Sequence, residues 1–309
     1  MSVEFPAMPD VCQGGGLSGE FIALLSALLW SVSCVLMALG TKRLHVLPLN
    51  LVRCIVSSSF FLAMLPFFGG LEALLAVPPS AWLWLVISVL VLLVVGDTLY
   101  FRSLDLAGVS WAMPVAGINP LWAILLATLF LDEPLTWGLL AGALLVVAGV
   151  TLLSRPGVHS SNGRAIEPAA RRKGLLLALL VSLLWAAGQV VLKPATAGMH
   201  SVVANSIRQP MAMLILLAIN LRTGHWRELR HLDRRSWAMI LMASLVGTGL
   251  GTLFFVMAIQ DIGAGRTAVI TSTSPLMAIP FSMFWLRERP TRWTMAGTFF
   301  TTVGIVLVA

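Results

Sequence analysis

The chain consists of long apolar stretches separated by short polar segments. A helix needs about 20 apolar residues to cross the hydrocarbon core of a bilayer, and unpaired backbone groups are costly there, so these stretches can span it only as helices. Only 11% of the residues are charged and 58% are hydrophobic, too few charges to cover a soluble surface. We predict an all-α integral membrane protein with ten transmembrane helices, at residues 20–39, 48–68, 81–101, 109–131, 137–153, 174–192, 203–221, 237–258, 267–285 and 293–309.

The sequence also argues against several other classes. Residues 1–16 contain no Lys or Arg, so no cleaved signal peptide is predicted. The net charge of +7 comes from basic residues in short loops, which is typical of membrane topology and not of nucleic-acid binding. The chain lacks HExxH, CxxC, GxSxG and P-loop patterns, and its five His residues show no ligand spacing. We therefore expect no enzyme activity, metal site, cofactor or nucleic-acid partner.

The two halves of the chain match in register at an offset of 155 residues. The matches that carry weight involve residue types that are uncommon in apolar helices: Trp30 with Trp185, Asn50 with Asn205, Arg53 with Arg208, Pro120 with Pro275, and Glu133 with Glu288. A polar stretch at 154–173 separates the halves. We predict a tail (1–19), a five-helix repeat (20–153), a linker (154–173) and a second five-helix repeat (174–309).

Because each repeat has an odd number of predicted helices, the second must enter the membrane from the opposite side. Inverted repeats are typical of secondary transporters, in which two related halves exchange conformations. The loops after odd-numbered helices hold sixteen of the 20 Lys and Arg residues, and the other loops hold two. The positive-inside rule then predicts that the odd loops are cytoplasmic and that both termini lie outside, in the plasma membrane.

These repeats resemble the EamA type of the drug/metabolite transporter superfamily. The resemblance rests on Leu28, Leu29 and Trp30, on the arginine early in the second helix, and on the stretch 119–150, which is repeated at 274–307. It extends over residues 20–309 as two consecutive repeats. It implies a ten-helix transporter that moves small molecules by alternating access.

Within this resemblance we predict a secondary active transporter that exports a small amphipathic metabolite or drug-like solute. Its partners would be that small molecule and the lipid bilayer. A flippase for a lipid-linked substrate and an integral-membrane transferase remain as alternatives. The spacing of Gly138 with Gly142, and of Gly247 with Gly251, favours close helix packing within the chain, with a homodimer left open.

Two arginines lie inside apolar helices. Arg53 in the second helix has Asp97 at matched depth in the third, which predicts an intramembrane ion pair or gate. Snorkelling of Arg53 to the headgroups is the alternative. The second repeat has Thr252 in place of Asp97, so Arg208 lacks this partner and is predicted to meet a substrate anion.

Two tryptophans lie near the middle of their helices, although membrane Trp usually occupies the interfaces. We predict that Trp30 and Trp185 face a substrate cavity, with helix packing as the alternative. Gln189 follows Trp185 by one turn on the same helix face and is predicted to hydrogen-bond the substrate.

Prolines interrupt the fourth and ninth predicted helices. Pro120 leaves the carbonyl of Ala116 without its helical donor, and Pro275 does the same to Thr271. We predict hinges at both prolines, with static kinks as the alternative. Asn119 directly precedes Pro120 and is a further candidate for the substrate site, because transporter sites tend to lie at such interruptions.

Two acids occupy matching short turns. Glu133 precedes the fifth predicted helix and Glu288 precedes the tenth. A carboxylate near a helix N-terminus is stabilised by the helix dipole and accepts nearby backbone N–H groups. A local structural role is therefore predicted for both.

Overall fold

The computed structural model describes residues 18–40, 44–153, 167–281 and 292–308. Within these ranges every regular element is helical. The α-helices are α1 (Gly19–Gly40), α2 (Val46–Met64), α3 (Gly70–Leu75), α4 (Pro79–Ala107), α5 (Val109–Ala116), α6 (Asn119–Leu131), α7 (Trp137–Leu153), α8 (Pro168–Ala195), α9 (Ser201–Thr223), α10 (Arg234–Ile262), α11 (Ala264–Thr271), α12 (Ser274–Phe281) and α13 (Arg292–Val308). Short 3₁₀ turns follow α2 at Leu65–Phe68 and α9 at His225–His231.

Seven helical segments of the described chain are long and apolar enough to cross a membrane. The helices α7 and α13 are shorter and also apolar. The ninth predicted helix is present as the two short segments α11 and α12, and residues 282–291, which follow α12, lie outside the described residues. The fold is therefore an all-α, multi-pass membrane fold, and the count of ten helices stays a prediction.

The first helix of the second repeat starts inside the predicted linker. Helix α8 begins at Pro168, inside the segment 154–173, because proline in a first helical turn has its φ preset and needs no N–H partner. Residues 154–166 lie outside the described residues. Helices α4 and α10 also run beyond their predicted ends, because helical backbone continues into polar residues that an apolar window leaves out.

The two repeats are packed into one another. Helix α2 packs on its equivalent α9, and α7 packs on its equivalent α13. Helix α1 of the first repeat packs on α10, α11 and α12 of the second. Helix α8 of the second repeat packs in the same way on α4, α5 and α6 of the first. The first helix of each repeat is therefore packed among the helices of the other repeat.

Glycines allow the close contact of α7 with α13. A Cβ atom at Gly142 would lie 2.6 Å from the carbonyl oxygen of Gly304, and one at Gly149 would lie 2.7 Å from that of Gly297. At Gly138 it would lie 2.7 Å from the carbonyl oxygen of Leu307. Such distances exclude a side chain, so the spacing of Gly138 and Gly142 allows packing within the chain.

Histidines cap the equivalent helices α2 and α9. The Nδ1 atom of His45 accepts a hydrogen bond from the Leu47 N–H at 3.3 Å, and that of His200 accepts one from Val202 at 3.1 Å. Each bond satisfies one of the free N–H groups at a helix start. The ring of His200 also stacks on Phe68, with 4.2 Å between centroids.

Both third helices contain a π-helical turn at the same place in the repeat. It covers Leu90–Gly96 in α4 and Leu245–Gly251 in α10, again at an offset of 155. Such turns insert an extra residue into a helix and occur frequently at functional sites. Each is crossed by the first helix of the other repeat.

Candidate functional site

Trp30 marks the crossing of α1 over the π-helical turn of α10. Its indole N–H donates to the carbonyl oxygen of Gly247 at 3.1 Å, and its ring lies 5.0 Å from that of Phe255. A Cβ atom at Gly251 would lie 2.7 Å from the Trp30 ring, so glycine is needed there. This geometry agrees with the packing alternative for Trp30, and a contact with substrate remains a prediction.

Trp185 occupies the equivalent crossing of α8 over α4. Its ring lies 4.9 Å from that of Tyr100, and a Cβ atom at Gly96 would lie 2.9 Å from its Nε1 atom. Tyr100 is equivalent to Phe255 and Gly96 to Gly251. Unlike Trp30, Trp185 lies beside a carboxylate, that of Asp97.

The helices approach closely at both crossings, but the glycine that allows this lies on α10 in one crossing and on α8 in the other. In one, Gly247 of α10 faces Ser33 of α1, and a glycine Cβ atom would lie 2.5 Å from the Ser33 Cβ. In the other, Gly188 of α8 faces Leu92 of α4, and its Cβ atom would lie 2.5 Å from the Leu92 Cγ. These are the same two repeat positions. At this pair of facing positions, each crossing therefore has room for a side chain on only one of its two helices.

Arg53 and Asp97 are brought together by α2 and α4. The Arg53 Nη1 atom lies 3.4 Å from the Asp97 Oδ2 and donates to the Asn50 Oδ1 at 2.8 Å. The two charged side chains are 23% and 16% exposed. Cys34 of α1 has accessible surface and interacts electrostatically with both charges. Cys34 and both charged side chains therefore keep accessible surface and are not sealed within the helix packing.

Arg208 of α9 has only neutral partners among the described residues. Its Nε atom donates to the Ser88 Oγ at 3.1 Å and its Nη1 to the Asn205 Oδ1 at 3.0 Å. It is 2% exposed. The equivalent of Asp97 is Thr252, which is 7% exposed. Arg208 is therefore a buried cation without an acidic partner in the described part of the chain, which is costly in a low dielectric.

Asn119 and Gln189 contact one another, an arrangement that the sequence analysis did not foresee. The Gln189 Nε2 donates to the Asn119 Oδ1 at 3.3 Å, and the Asn119 Nδ2 donates to the Ser182 carbonyl at 3.3 Å. The Gln189 Oε1 is buried without a described partner, as is the Nε1 of Trp122, one turn beyond Asn119. The sequence analysis did not single out Trp122, although it lies in the middle of the predicted helix 109–131.

Both proline-containing helices are broken and not merely bent. Helix α5 ends at Ala116 and α6 starts at Asn119, with Pro120 in its first turn. In the second repeat, α11 ends at Thr271 and α12 starts at Ser274, followed by Pro275. The breaks lie where hinges were predicted, and movement at them remains a prediction.

The contacts of the two first helices differ. Helix α8 packs on α10 and α11 of its own repeat, for example through Val190 and Ala264. The equivalent contact, α1 on α4 and α5, is not formed as a packed interface in the described chain. Val190 lies near the end of α8, so by repeat equivalence this gap lies near the end of α1, at the membrane face where α2 begins. We call this the basic face, because its loops hold sixteen Lys and Arg residues, and the other the opposite face.

Glu133 does not have the local role that was predicted. Its Oε1 accepts the Ala264 N–H at 2.9 Å and its Oε2 accepts the Gly265 N–H at 3.1 Å, at the start of α11. Its Oε1 also pairs with the Lys193 Nζ at 2.8 Å, near the end of α8. The turn after α6 thus carries the carboxylate across to the other repeat and not to α7. Glu288 lies outside the described residues.

Comparison with families of known proteins gives one match that covers most of the chain. The EamA-like transporter family matches residues 17–155 and again 172–309. This chain belongs to the EamA-like transporter family. The two matches correspond to the two repeats of the sequence. This EamA-like protein is therefore a membrane transporter, and its family membership points away from an enzyme.

Individual relatives agree with this assignment. An uncharacterized transporter of Archaeoglobus fulgidus is 25% identical over 93% of this chain and 96% of its own length. Solute carrier family 35 member G1 of Mus musculus is 25% identical over 95% of this chain and 77% of its own. These names do not favour the flippase or the transferase alternative.

A solved structure shares the fold. A crystal structure superimposes with a TM-score of 0.76 over 94% of this chain and 95% of its own, at 17% sequence identity. At that identity the likeness extends to the fold alone. Among the described residues no group of three or more His, Cys, Asp or Glu side chains has the arrangement of a metal site.

Proposed function

We propose that this EamA-like protein is a secondary active transporter that exports a small amphipathic metabolite or drug-like solute by alternating access. The gap between α1 and α4 is its substrate entrance. Arg53 and Asp97 are a gate on the basic face, and Trp185 contributes to the wall of the cavity beside them.

One observation carries the proposal: equivalent positions in the two repeats differ consistently in accessibility. Cys34 is exposed and its equivalent Gln189 is 7% exposed. Arg53 is more exposed than Arg208, as described above. A permanent pore would give the two repeats similar access. Two inverted repeats in different conformations are what a carrier open to one side has.

The cavity chemistry favours an amphipathic solute. Arg53 and Asp97 offer one charge of each sign, and Asn50 adds an amide. The rings of Trp185 and Tyr100 provide an apolar wall directly beside Asp97. A small molecule with a polar or charged end and an apolar body satisfies both surfaces.

In the opposite state, the second repeat takes the conformation of the first. The gap between α1 and α4 closes, and α8 separates from α10 and α11. Arg208, Gln189, Asn119 and Trp30 then line the cavity, so Arg208 meets a substrate anion in that state. The helix breaks at Pro120 and Pro275 are the hinges. A ligand that prefers either state shifts the equilibrium by its differential affinity.

Export is the direction that we propose. The basic face carries most of the Lys and Arg residues, which favours a cytoplasmic orientation for it. Substrate then loads from the cytoplasm and leaves at the opposite face. Both termini lie outside in this orientation. A Phe5→Cys variant in a background without the natural cysteines should react with an impermeant maleimide in intact cells. Reaction only after lysis would reverse the orientation.

The function is tested by a screen followed by flux. Purified protein is heated with a library of amphipathic metabolites and drug-like solutes, and compounds that raise the melting temperature are kept. Proteoliposomes preloaded with such a compound should take up its labelled form by exchange. Asp97→Asn should reduce this uptake at least about tenfold, and Glu20→Gln, an acid paired with Arg266 away from the cavity, should not. If liposomes without the protein show equal uptake, or if uptake is unchanged in the Asp97→Asn variant, the proposal is wrong.

A further inference from the structure

The opposite face is held closed by contacts at the end of α8, some within the second repeat and some between the repeats. Here the Gln260 Nε2 donates to the carbonyl oxygens of Thr196 at 2.9 Å and Met199 at 3.0 Å, which joins α10 to the end of α8. The Lys193 and Glu133 contacts described above lie at the same face. Glu133 is the only one of these residues that comes from the first repeat.

The Glu133 carboxylate joins three elements at once. It binds two backbone N–H groups of α11, where the helix dipole favours a negative charge. It also binds the ammonium group of Lys193 on α8. Charge-assisted hydrogen bonds of this kind are stronger than neutral ones. Because α8 and α11 are the helices that must separate for the opposite face to open, this carboxylate spans the interface that opens.

The surrounding glycines make room for the carboxylate. Gly263 has φ of 87°, and a Cβ atom there would lie 2.5 Å from the Glu133 Oε1. A Cβ atom at Gly265 would lie 3.3 Å from its Oε2. A positive φ also favours glycine over other residues. The start of α11 is therefore shaped to receive this side chain.

The base in this cluster exists in one repeat only. The position equivalent to Lys193 is Ala38, in α1. At the basic face the equivalent glutamate is Glu288, and the position equivalent to Lys193 offers it no ammonium group.

We propose that Glu133 is a latch that keeps the opposite face closed, and that its release from Lys193 and from the start of α11 is a required step of the transport cycle. The inference rests on the alternating-access function proposed above. Because the latch stabilises one state, its loss shifts the population toward the state that is open at the opposite face. Glu133 is a positioning residue and does not contact the substrate.

Two reporters at equivalent repeat positions test the latch. A background without Cys12 and Cys54 keeps Cys34, which reports access from the basic face. A second background carries Gln189→Cys as its single thiol and reports access from the opposite face. Each is labelled with an impermeant maleimide in membrane vesicles of the matching orientation, and initial labelling rates are compared.

Glu133→Gln should raise the labelling rate at position 189 about tenfold and lower that at Cys34, because charge-assisted contacts are worth about that factor in a two-state equilibrium. Lys193→Met should act in the same direction with a smaller factor, since it leaves the backbone contacts of the carboxylate in place. Glu20→Gln removes an acid that pairs with Arg266 at 3.6 Å, between α1 and α11. It is the matched control and should change neither rate.

The outcomes separate the latch from the underlying function. If both reporters are labelled in the parent protein and neither rate changes in Glu133→Gln or Lys193→Met, the latch is wrong and alternating access stands. If position 189 is never labelled from the opposite face in any variant, alternating access itself is wrong. If Glu20→Gln changes the two labelling rates in the same way, the effect is not specific to Glu133 and the latch is again wrong. Size-exclusion profiles show whether each variant is folded, and Lys193→Met decides the matter if Glu133→Gln is not.

Discussion

The two Asn-x-x-Arg motifs have the same local structure and different surroundings. In each, the asparagine Oδ1 accepts a hydrogen bond from the arginine Nη1, at 2.8 Å in α2 and 3.0 Å in α9. In the first repeat the third helix supplies Asp97, which pairs with Arg53. In the second it supplies no acid, and Arg208 is turned to Ser88 of the other repeat. The motif orients an arginine, and the neighbouring helix decides what the charge does.

The divergence is confined to particular positions. Where α1 and α8 cross the π-helical turns, the repeats keep an aromatic contact and a close approach, with the glycine moved from one helix to the other. Beside these crossings the charged groups differ. Each repeat must be able to pack in either conformation, so both repeats keep the packing contacts. A charged group that acts on the substrate is needed in only one repeat.

The largest expected effect comes from removing the charge of Arg208. Arg208→Met should reduce flux of a compound found in the screen at least about tenfold, because no cation then meets the substrate anion. Its stability should change by less than about 1 kcal/mol, since loss of a buried cation without an acidic partner offsets the lost hydrogen bonds. Exchange in proteoliposomes and thermal unfolding measure the two quantities. Normal flux would leave Arg208 with a structural role only.

The second prediction concerns the same substitution in the first repeat. Arg53→Met leaves Asp97 uncompensated and should lower the free energy of unfolding by about 2 kcal/mol, and Asp97→Asn should lower it by a similar amount. The double variant should lose about 1 kcal/mol less than the sum of the two. Thermal unfolding in detergent gives all four values. Additive losses would show that the two side chains do not interact.

The third prediction concerns an acid added to the second repeat at the position equivalent to Asp97. Thr252→Asp places a carboxylate where Asp97 lies in the first, beside α9. If the repeats are equivalent there, the new carboxylate pairs with Arg208, and the substitution should cost about 1 kcal/mol less in the parent than in Arg208→Met. Thermal unfolding of the four proteins measures this coupling. Equal costs would mean that the two arginines do not occupy equivalent positions.

The smallest expected effect concerns the cap of α9. Partial burial lowers the pKa of His200 below its usual value, so the folded protein favours the neutral imidazole more than the unfolded chain does. Stability is therefore complete above the unfolded pKa, near 6.5, and is lost as the pH falls toward the folded pKa. The loss should be below about 0.5 kcal/mol because solvent screens this group. His200→Asn keeps a capping acceptor and should remove this pH dependence of the melting temperature, with His45→Asn as the matched control.

Much of the fold was predictable because the bilayer leaves few choices. Apolar stretches of helical length predicted an all-α membrane fold, and rare residues in one register predicted the repeat, which the two family matches confirm. The helix breaks near Pro120 and Pro275 were predictable for the same local reason, the missing N–H of proline. The end of the linker was not, because the first turn of α8 is polar and basic.

The helices, the repeat and the residues whose charge or polarity is unusual in lipid can be predicted from the sequence alone. Which of these residues contact one another depends on the tertiary structure. Depth along a helix predicted that Arg53 and Asp97 lie at one level, but not which face each presents. The contact of Asn119 with Gln189, the crossings at the π-helical turns and the reach of Glu133 to α11 all join residues more than 60 positions apart. Such contacts depend on how the two repeats pack into one another, and helical periodicity carries no information about that.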